Sequence, residues 1–183
     1  MELQEAIRNR RSIRKFEKSE IPEECILKII ESGTWAPFGA ERWLIIIVKD
    51  NQTKKEMMGW FVDQKRNLHV LHAPVNLVVC CDLRDQNWPA IDGRNHGKED
   101  HRSLFSIQES AAMIQNMLLT AHEEGIASCW NGSFDEKIVS QVLSIPEGIR
   151  PVAIISLGYS RVDQKPPKRK KIDDIVCYGK FRI

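Results

Sequence analysis

Read for its apolar and polar positions, the chain alternates helix-like stretches with short, nearly continuous apolar runs. Residues 2–9 place Leu3, Ala6 and Ile7 on one side of a short helix. In "IPEECILKIIESG" (21–33), Ile26, Ile29 and Ile30 form a helical stripe. Pro22 suits a first turn, Glu23 and Glu24 complement the positive end of the helix dipole, and Gly33 suits the stop. "WLIIIVK" (43–49) is β-branched and apolar throughout, which predicts a strand covered on both faces. A weakly marked helix is expected around 51–61, and "VNLVVCCD" (75–82), introduced by Pro74, reads as a second buried strand. Residues 83–103 are polar and aperiodic, and predict a long loop that could serve as a lid.

The longest helical pattern is "SLFSIQESAAMIQNMLLTAHEEG" (103–125). Ala111, Ile114, Leu118 and Ala121 recur at three- and four-residue steps, and Met117 and Leu119 widen the arc, so more than one neighbour is expected to bury it. "ASCW" (127–130) suggests a short strand, and Ser133 with Glu136 forms a capping-box pattern for a helix over 134–143. "PVAIISLGY" (151–159) reads as a third buried strand, and 160–183 as a basic, extended tail. Single strands between helices predict one domain over 1–183, built as a sheet sandwiched by helices.

Composition narrows the class. The 183 residues are 42% hydrophobic and 28% charged with a formal net charge of +2, an ordinary globular balance that argues against a general nucleic-acid binder. Cys25, Cys80, Cys81, Cys129 and Cys177 form no CxxC or Cys/His ligand spacing, and their odd number predicts reduced thiols in a cytoplasmic protein. No apolar run approaches membrane-spanning length. His96 and His101, with Asp92, Glu99 and Asp100 nearby, match no metal-ligand spacing and read as a solvated loop, so no metal is expected. Adjacent Cys80 and Cys81 are expected to point to opposite faces of a core strand.

The candidate chemistry is cationic. "RNRRSIRKF" (8–16) brings together Arg10, Arg11, Ser12 and Arg14, three guanidinium forks and a hydroxyl suited to phosphate or carboxylate. A second basic run, "KPPKRKK" (165–171), offers Lys168, Arg169 and Lys170, as a solvated tail, a polybasic arm or a group closing over the same anion. No GxGxxG, P-loop, GxSxG or HExxH pattern is present.

Several stretches together resemble the FMN-dependent nitroreductase family: "RRSIRKF" (10–16), "SGTWAPFGAERW" (32–43), "HAPVNLVVCCD" (72–82), "ESAAMIQNMLLTAHEEGIASCWNGSF" (109–134), "LSIPEGIRPVAIISLGY" (143–159) and "IDDIV" (172–176). The resemblance implies an α+β nitroreductase-like fold, with a central mixed β-sheet flanked by helices and an extended C-terminal tail. It also implies an intertwined homodimer with FMN at the interface. By that likeness Arg10, Arg11, Ser12 and Arg14 would hold the flavin's phosphate, ribityl chain and pyrimidine edge. Trp130, Asn131 and Gly132 would approach the ring, and Lys168, Arg169 and Lys170 would reach the phosphate. Pro37, Phe38 and Gly39 would come from the other subunit, and Asn67 or Arg66 would touch the ring edge.

The implied activity is hydride transfer from NAD(P)H through the flavin to a nitroaromatic, quinone or similar small-molecule acceptor. A flavin carries its own electron chemistry, so anion-binding residues without a catalytic dyad suit it. Departures fall on one loop: Phe38 replaces a small Ser, Glu41 stands where Asn is usual, and a Gln-Pro pair before Trp43 is missing. The family's substrate choice therefore does not carry over. The rivals are a relative that cleaves reduced flavin with oxygen or removes halogens, and a basic-patch nucleic-acid binder.

Overall fold

Apolar strands carry rows of backbone donors and acceptors that must be paired once water is excluded. The computed structural model, which describes residues 1–37, 42–59, 64–84 and 101–181 (the side chains of 64–66 and 101–102 apart), shows how this chain pairs them. In chain order the elements are α1 (Leu3–Asn9), α2 (Glu23–Thr34), β1 (Trp43–Val48), α3 (Asn51–Met58) and α4 (Gln64–His72), then β2 (Val75–Asp82) and α5 (His101–Glu123). β3 (Ala127–Asn131), α6 (Glu136–Val142), β4 (Ile149–Gly158) and a 3-10 turn at Ile172–Asp174 complete the series. The sheet order is β1-β2-β4-β3, with every neighbouring pair antiparallel. The resemblance implies a mixed sheet, whereas the four described strands are all antiparallel. The parallel contact is an isolated bridge outside them, Ser12 to Ser128, where the Ile13 amide donates to the Ser128 carbonyl at 2.9 Å.

Helices cover both faces, as the apolar runs required. On one face Ile26 and Ile29 of α2 and Met113, Ile114 and Met117 of α5 meet Leu77, Ile155 and Leu157. On the other, Met57 and Met58 of α3, Val70 of α4 and Val139 of α6 meet Val78, Cys80 and Ile154. Each fully buried Ile, Leu or Met contributes about 2 kcal/mol to this sandwich. Cys80 belongs to the second layer, while the Cys81 sulfur lies 3.1 Å from Ser110 Oγ on α5, so the adjacent thiols point to opposite faces.

Some boundaries differ from the expectation. α4 was not expected: in "NLHVLH", Asn67 and His69 are buried while Leu68 is exposed, which inverts the usual stripe. β1 pairs only with β2 among the described residues, and Leu44 on this edge is exposed. β4 begins at Ile149 and contains Pro151, which lies beyond the end of the β3 pairing and beside a register shift at Val79/Cys80. Pro151 faces Cys80 of β2 beside that shift and has no β3 partner, an irregular position where a missing amide donor is tolerated. α5 starts at His101, inside the stretch expected to be a loop, and the remainder of the supposed lid, 85–100, lies outside the described residues. The helix ends with the Gly125 amide donating to His122 O and the Ile126 amide to Ala121 O. Gly125 has φ +72°, the left-handed conformation that this termination needs.

The cap of α6 is Asp135 rather than Ser133: its Oδ1 accepts from the amides of Lys137 and Ile138 at 2.9 and 3.1 Å. Asp135→Ala is therefore expected to lower stability by about 1 kcal/mol, and Ser133→Ala by far less. Chemical denaturation checks this, and equal losses would return the cap to Ser133.

Glu109 on α5 is 1% exposed, and neither carboxylate oxygen has a hydrogen-bond partner among the described residues. Burial pushes its pKa up, with the Arg42 charge opposing. A carboxyl raised in the folded state releases its proton earlier when unfolded. Stability is thus greatest below the ordinary glutamate pKa and falls as pH rises toward the folded one. Glu109→Gln is expected to flatten that slope in melting temperature against pH; an unchanged slope would mean that Glu109 is ionised in its pocket.

Candidate functional site

The site is built where α1 ends and the chain passes alongside β3. Residues 10–13 run beside β3 through the Ser12–Ser128 bridge, which holds their side chains against that strand. Phe16 then crosses the end of the sheet, and the Glu17 amide donates to Tyr159 O at 2.8 Å. At Gly158 an added Cβ would lie 2.8 Å from Phe16 Cδ1 and 2.8 Å from Pro74 Cδ. A hydrogen there lets the opening segment lie flat on the sheet.

Arg10 is half-buried at the C-cap of α1. Its pKa is pushed down, first by burial and then by the positive charges of Arg11 and Arg169. Arg169 of the tail thus lies close enough to act on Arg10. Arg11 turns Nη1 to the carbonyls of Arg8 and Arg10 at 2.6 and 2.8 Å, and leaves its Nε buried without a partner. Ser12 is partly buried in its bridge. Arg14 is exposed, donates weakly to Ser12 O at 3.4 Å, and with Arg10 acts on the buried thiol of Cys129. Burial dominates at Cys129 and raises its pKa.

A cleft of about 560 Å³ opens here, lined by Arg10, Arg11, His122, Ser128 and the tail residues Ser160 and Lys165. The sequence reading missed His122. Its pKa is lowered first by burial, then by Arg10 and Arg11, and its Nε2 has no partner. The available signal was a polar residue next to Ala121 on the buried side of α5.

At the other end of β3, Asn131 is buried and its Oδ1 accepts from the Ser133 amide at 3.1 Å. Its Nδ2 is buried with no partner. Asn67 is buried and donates through Nδ2 to Ser133 O at 3.1 Å, pinning the same turn. Gly132 is exposed, an added Cβ would find only Trp130 Nε1 at 3.8 Å, and Trp130 is itself partly exposed. The turn therefore presents an accessible backbone and an unused amide donor.

The other expected residues are less closely placed. Lys168 and Lys170 flank Arg169 in an exposed stretch. Pro37 is exposed and does not line the cleft, while Phe38, Gly39 and Glu41 lie outside the described residues, as does the Arg66 side chain. Among the described residues no group of His, Cys, Asp or Glu is arranged to hold a metal, and no helix is long and apolar enough to cross a membrane.

This geometry fits a phosphorylated flavin. Arg10, Arg11 and Lys165 bring positive charge to one cleft, and buried donors on Arg11 and Asn131 have no partner among the described residues. A dianionic phosphate would answer the first and polar ring or chain atoms the second.

Comparison with known proteins gives the same direction. A protein of Methanothermobacter thermautotrophicus, provisionally named an NADH dehydrogenase/NAD(P)H nitroreductase, is 31% identical over 166 residues, covering 87% of this chain and 78% of that protein. The NADH dehydrogenase of Thermus thermophilus is 26% identical, covering 92% of each chain. The crystal structure of a nitroreductase family protein from Clostridium novyi superposes with a TM-score of 0.74 at 27% identity, covering 88% of this chain and 86% of that one. The model of the nitroreductase family matches residues 7–159, and the chain belongs to that family.

Proposed function

We propose that the protein is an FMN-dependent oxidoreductase that passes hydride from NAD(P)H to a nitroaromatic, a quinone or a related acceptor. The observation that carries this reading is the cleft that Arg10 and Arg11 share with the tail residues Ser160 and Lys165, beside buried donors with no partner among the described residues. Bound FMN would supply the two-electron chemistry, taking up hydride in one half-reaction and giving it up in the next.

The chain's part is binding and electrostatics. Arg10, Arg11, Ser12, Lys168, Arg169 and Lys170 would hold the phosphate and ribityl chain, and Arg14 would offer positive charge at the pyrimidine edge. Asn131 and Gly132 would meet the ring beside Trp130, with Asn67 positioning the turn. The working form is an intertwined homodimer. Trp35, Tyr178 and Phe181 are more than 80% exposed, at 81%, 84% and 85%, which suits burial against a second copy. Pro37, with Phe38 and Gly39, would enter the partner's site. Size-exclusion with light scattering should give twice 21.1 kDa, and a particle of 21.1 kDa would remove the dimer.

The test of the activity is anaerobic. Mixing the flavin-loaded protein with NADH or NADPH should bleach it, and a nitroaromatic or quinone should restore the colour with stoichiometric turnover. Failure of both donors to bleach it would refute the reading. Destruction of the flavin only when air is admitted would assign the oxygen-dependent alternative.

A further inference from the structure

A second cationic cleft is lined in part by the segment that follows Ile13. Its volume is about 850 Å³, within the range of small-molecule sites. Phe16, Leu71 and Pro74 give it an apolar floor, and Arg14, Lys15, Lys18, Lys49, Lys54 and Lys55 supply the charge. Glu20 is the only carboxylate among the described lining residues. Of the lysines, Lys49 is committed to an ion pair with Glu23. Lys15, Lys18 and Lys55 are exposed and have no acidic partner among the described residues.

Lys54 is the informative member. It is 2% exposed, and its ammonium donates to the carbonyls of Ala73 and Pro74 at 2.7 and 3.0 Å, with no carboxylate in contact. Asp50, whose charge opposes the effect of burial on Lys54, is taken up by the N-cap of α3, accepting from the Thr53 amide at 2.8 Å. Burial depresses the Lys54 pKa. A charge kept out of water without a counter-ion is costly, and an arriving anion offsets that cost. Three exposed ammonium groups lining the same cleft as one buried ammonium suit a polyanion rather than a single carboxylate.

The floor adds a second requirement. A half-buried phenyl ring and a half-buried proline ring in the lining offer apolar surface to an aromatic base. We propose that this cleft binds a phosphorylated nucleotide, with the base on Phe16 and Pro74 and the phosphates among Lys15, Lys18 and Lys55. The cleft shares no lining residue with the Arg10 cleft among the described residues. Although Arg14, assigned above to the flavin, also borders it, the proposed phosphate seat is Lys15, Lys18 and Lys55 and does not require the Arg10 cleft to hold flavin. The nucleotide has two chemically equivalent sources: the phosphorylated adenosine half of NADPH, or a free adenine nucleotide.

The test uses the full chain, saturated with FMN where FMN binds, so that the Arg10 cleft is filled. Calorimetric titration compares adenosine 2′,5′-bisphosphate, ADP, adenosine and pyrophosphate. The phosphorylated nucleotides should bind about tenfold or more tightly than adenosine, as the gain of one or two charged hydrogen bonds requires. They should also exceed pyrophosphate, which lacks a base. The variant Lys15→Ala/Lys18→Ala/Lys55→Ala should weaken nucleotide binding at least about tenfold while keeping its FMN content. These lysines are exposed, so the variant folds. Arg10→Ala should do the reverse, which keeps failure of this site distinct from failure of the flavin reading.

NADPH kinetics then identify the source. A raised KM for NADPH with NADH unchanged assigns the site to the hydride donor, and unchanged NADPH kinetics with lost ADP binding assigns it to a free nucleotide. No heat with any phosphorylated nucleotide at millimolar concentration, pyrophosphate binding as well as ADP, or full affinity in the triple-lysine variant would each overturn the proposal.

Discussion

Arg10→Ala is expected to weaken FMN binding by about 10- to 100-fold, the loss that follows from deleting one charged hydrogen-bonding group at a phosphate. Arg169→Ala should cost a similar factor. Because the two side chains lie close enough for the Arg169 charge to act on Arg10, their effects on a shared phosphate should not add. The flavin-free protein should respond in the opposite sense. Burial and the neighbouring charges of Arg11 and Arg169 all oppose the charged form of Arg10. Removing it relieves that penalty, so the flavin-free variant should melt no lower than the unaltered protein. FMN fluorescence quenching gives the affinity, and thermal unfolding without flavin gives the stability. Unchanged affinity in both variants would take the phosphate away from this cleft, and a large loss of stability would make Arg10 a structural residue.

The second large effect concerns Gly158. Its missing side chain admits the Phe16 and Pro74 rings, each 2.8 Å from where a Cβ would stand. Valine there has to displace two rings in a packed layer, and is expected to cost about 2–3 kcal/mol. The displaced segment carries Arg10, Ser12 and Arg14, so FMN affinity should fall along with stability. Gly125→Ala is a useful contrast. An added Cβ there meets nothing within 4 Å, and the strain is confined to the φ of +72°. It should lower stability modestly and leave FMN affinity close to normal. Equal losses of FMN affinity in the two variants would show that close packing at Gly158 does not position the site.

What the sequence made legible follows from where side-chain type and burial agree. α2 and α5 carry clean apolar stripes, and all of Ile26, Ile29, Ile114 and Ala121 are fully buried. β2 and β4 read as apolar runs because helices cover both of their faces. Where the two disagree, the reading failed. α4 buries Asn67 and His69 and exposes Leu68, because the Asn67 amide is needed to pin the Ser133 turn. The cap of α6 was misplaced by two residues because Ser133 with Glu136 matches the capping-box pattern. Asp135, with Ile138 three residues on, does not match it, yet caps the helix through the Lys137 and Ile138 amides.

The two basic runs were visible as composition, but periodicity could not bring chain ends together. Their expected meeting came from the resemblance to a family. In the fold, Ser160, Lys165 and Pro166 of the tail line the cleft with Arg10 and Arg11, while Lys168, Arg169 and Lys170 lie in the exposed stretch beyond it. His122 was missed because its role depends on where α5 ends relative to Arg10 and Arg11, which no local pattern encodes.

The central claim is that a flavin monophosphate sits between the opening arginines and the basic tail. The most direct measurement is the visible absorption spectrum of the freshly purified protein, followed by titration with FMN. The account predicts a yellow protein, or a colourless one that takes up one FMN per chain with a shifted flavin spectrum. A colourless protein whose addition leaves the FMN spectrum and fluorescence unchanged would contradict it.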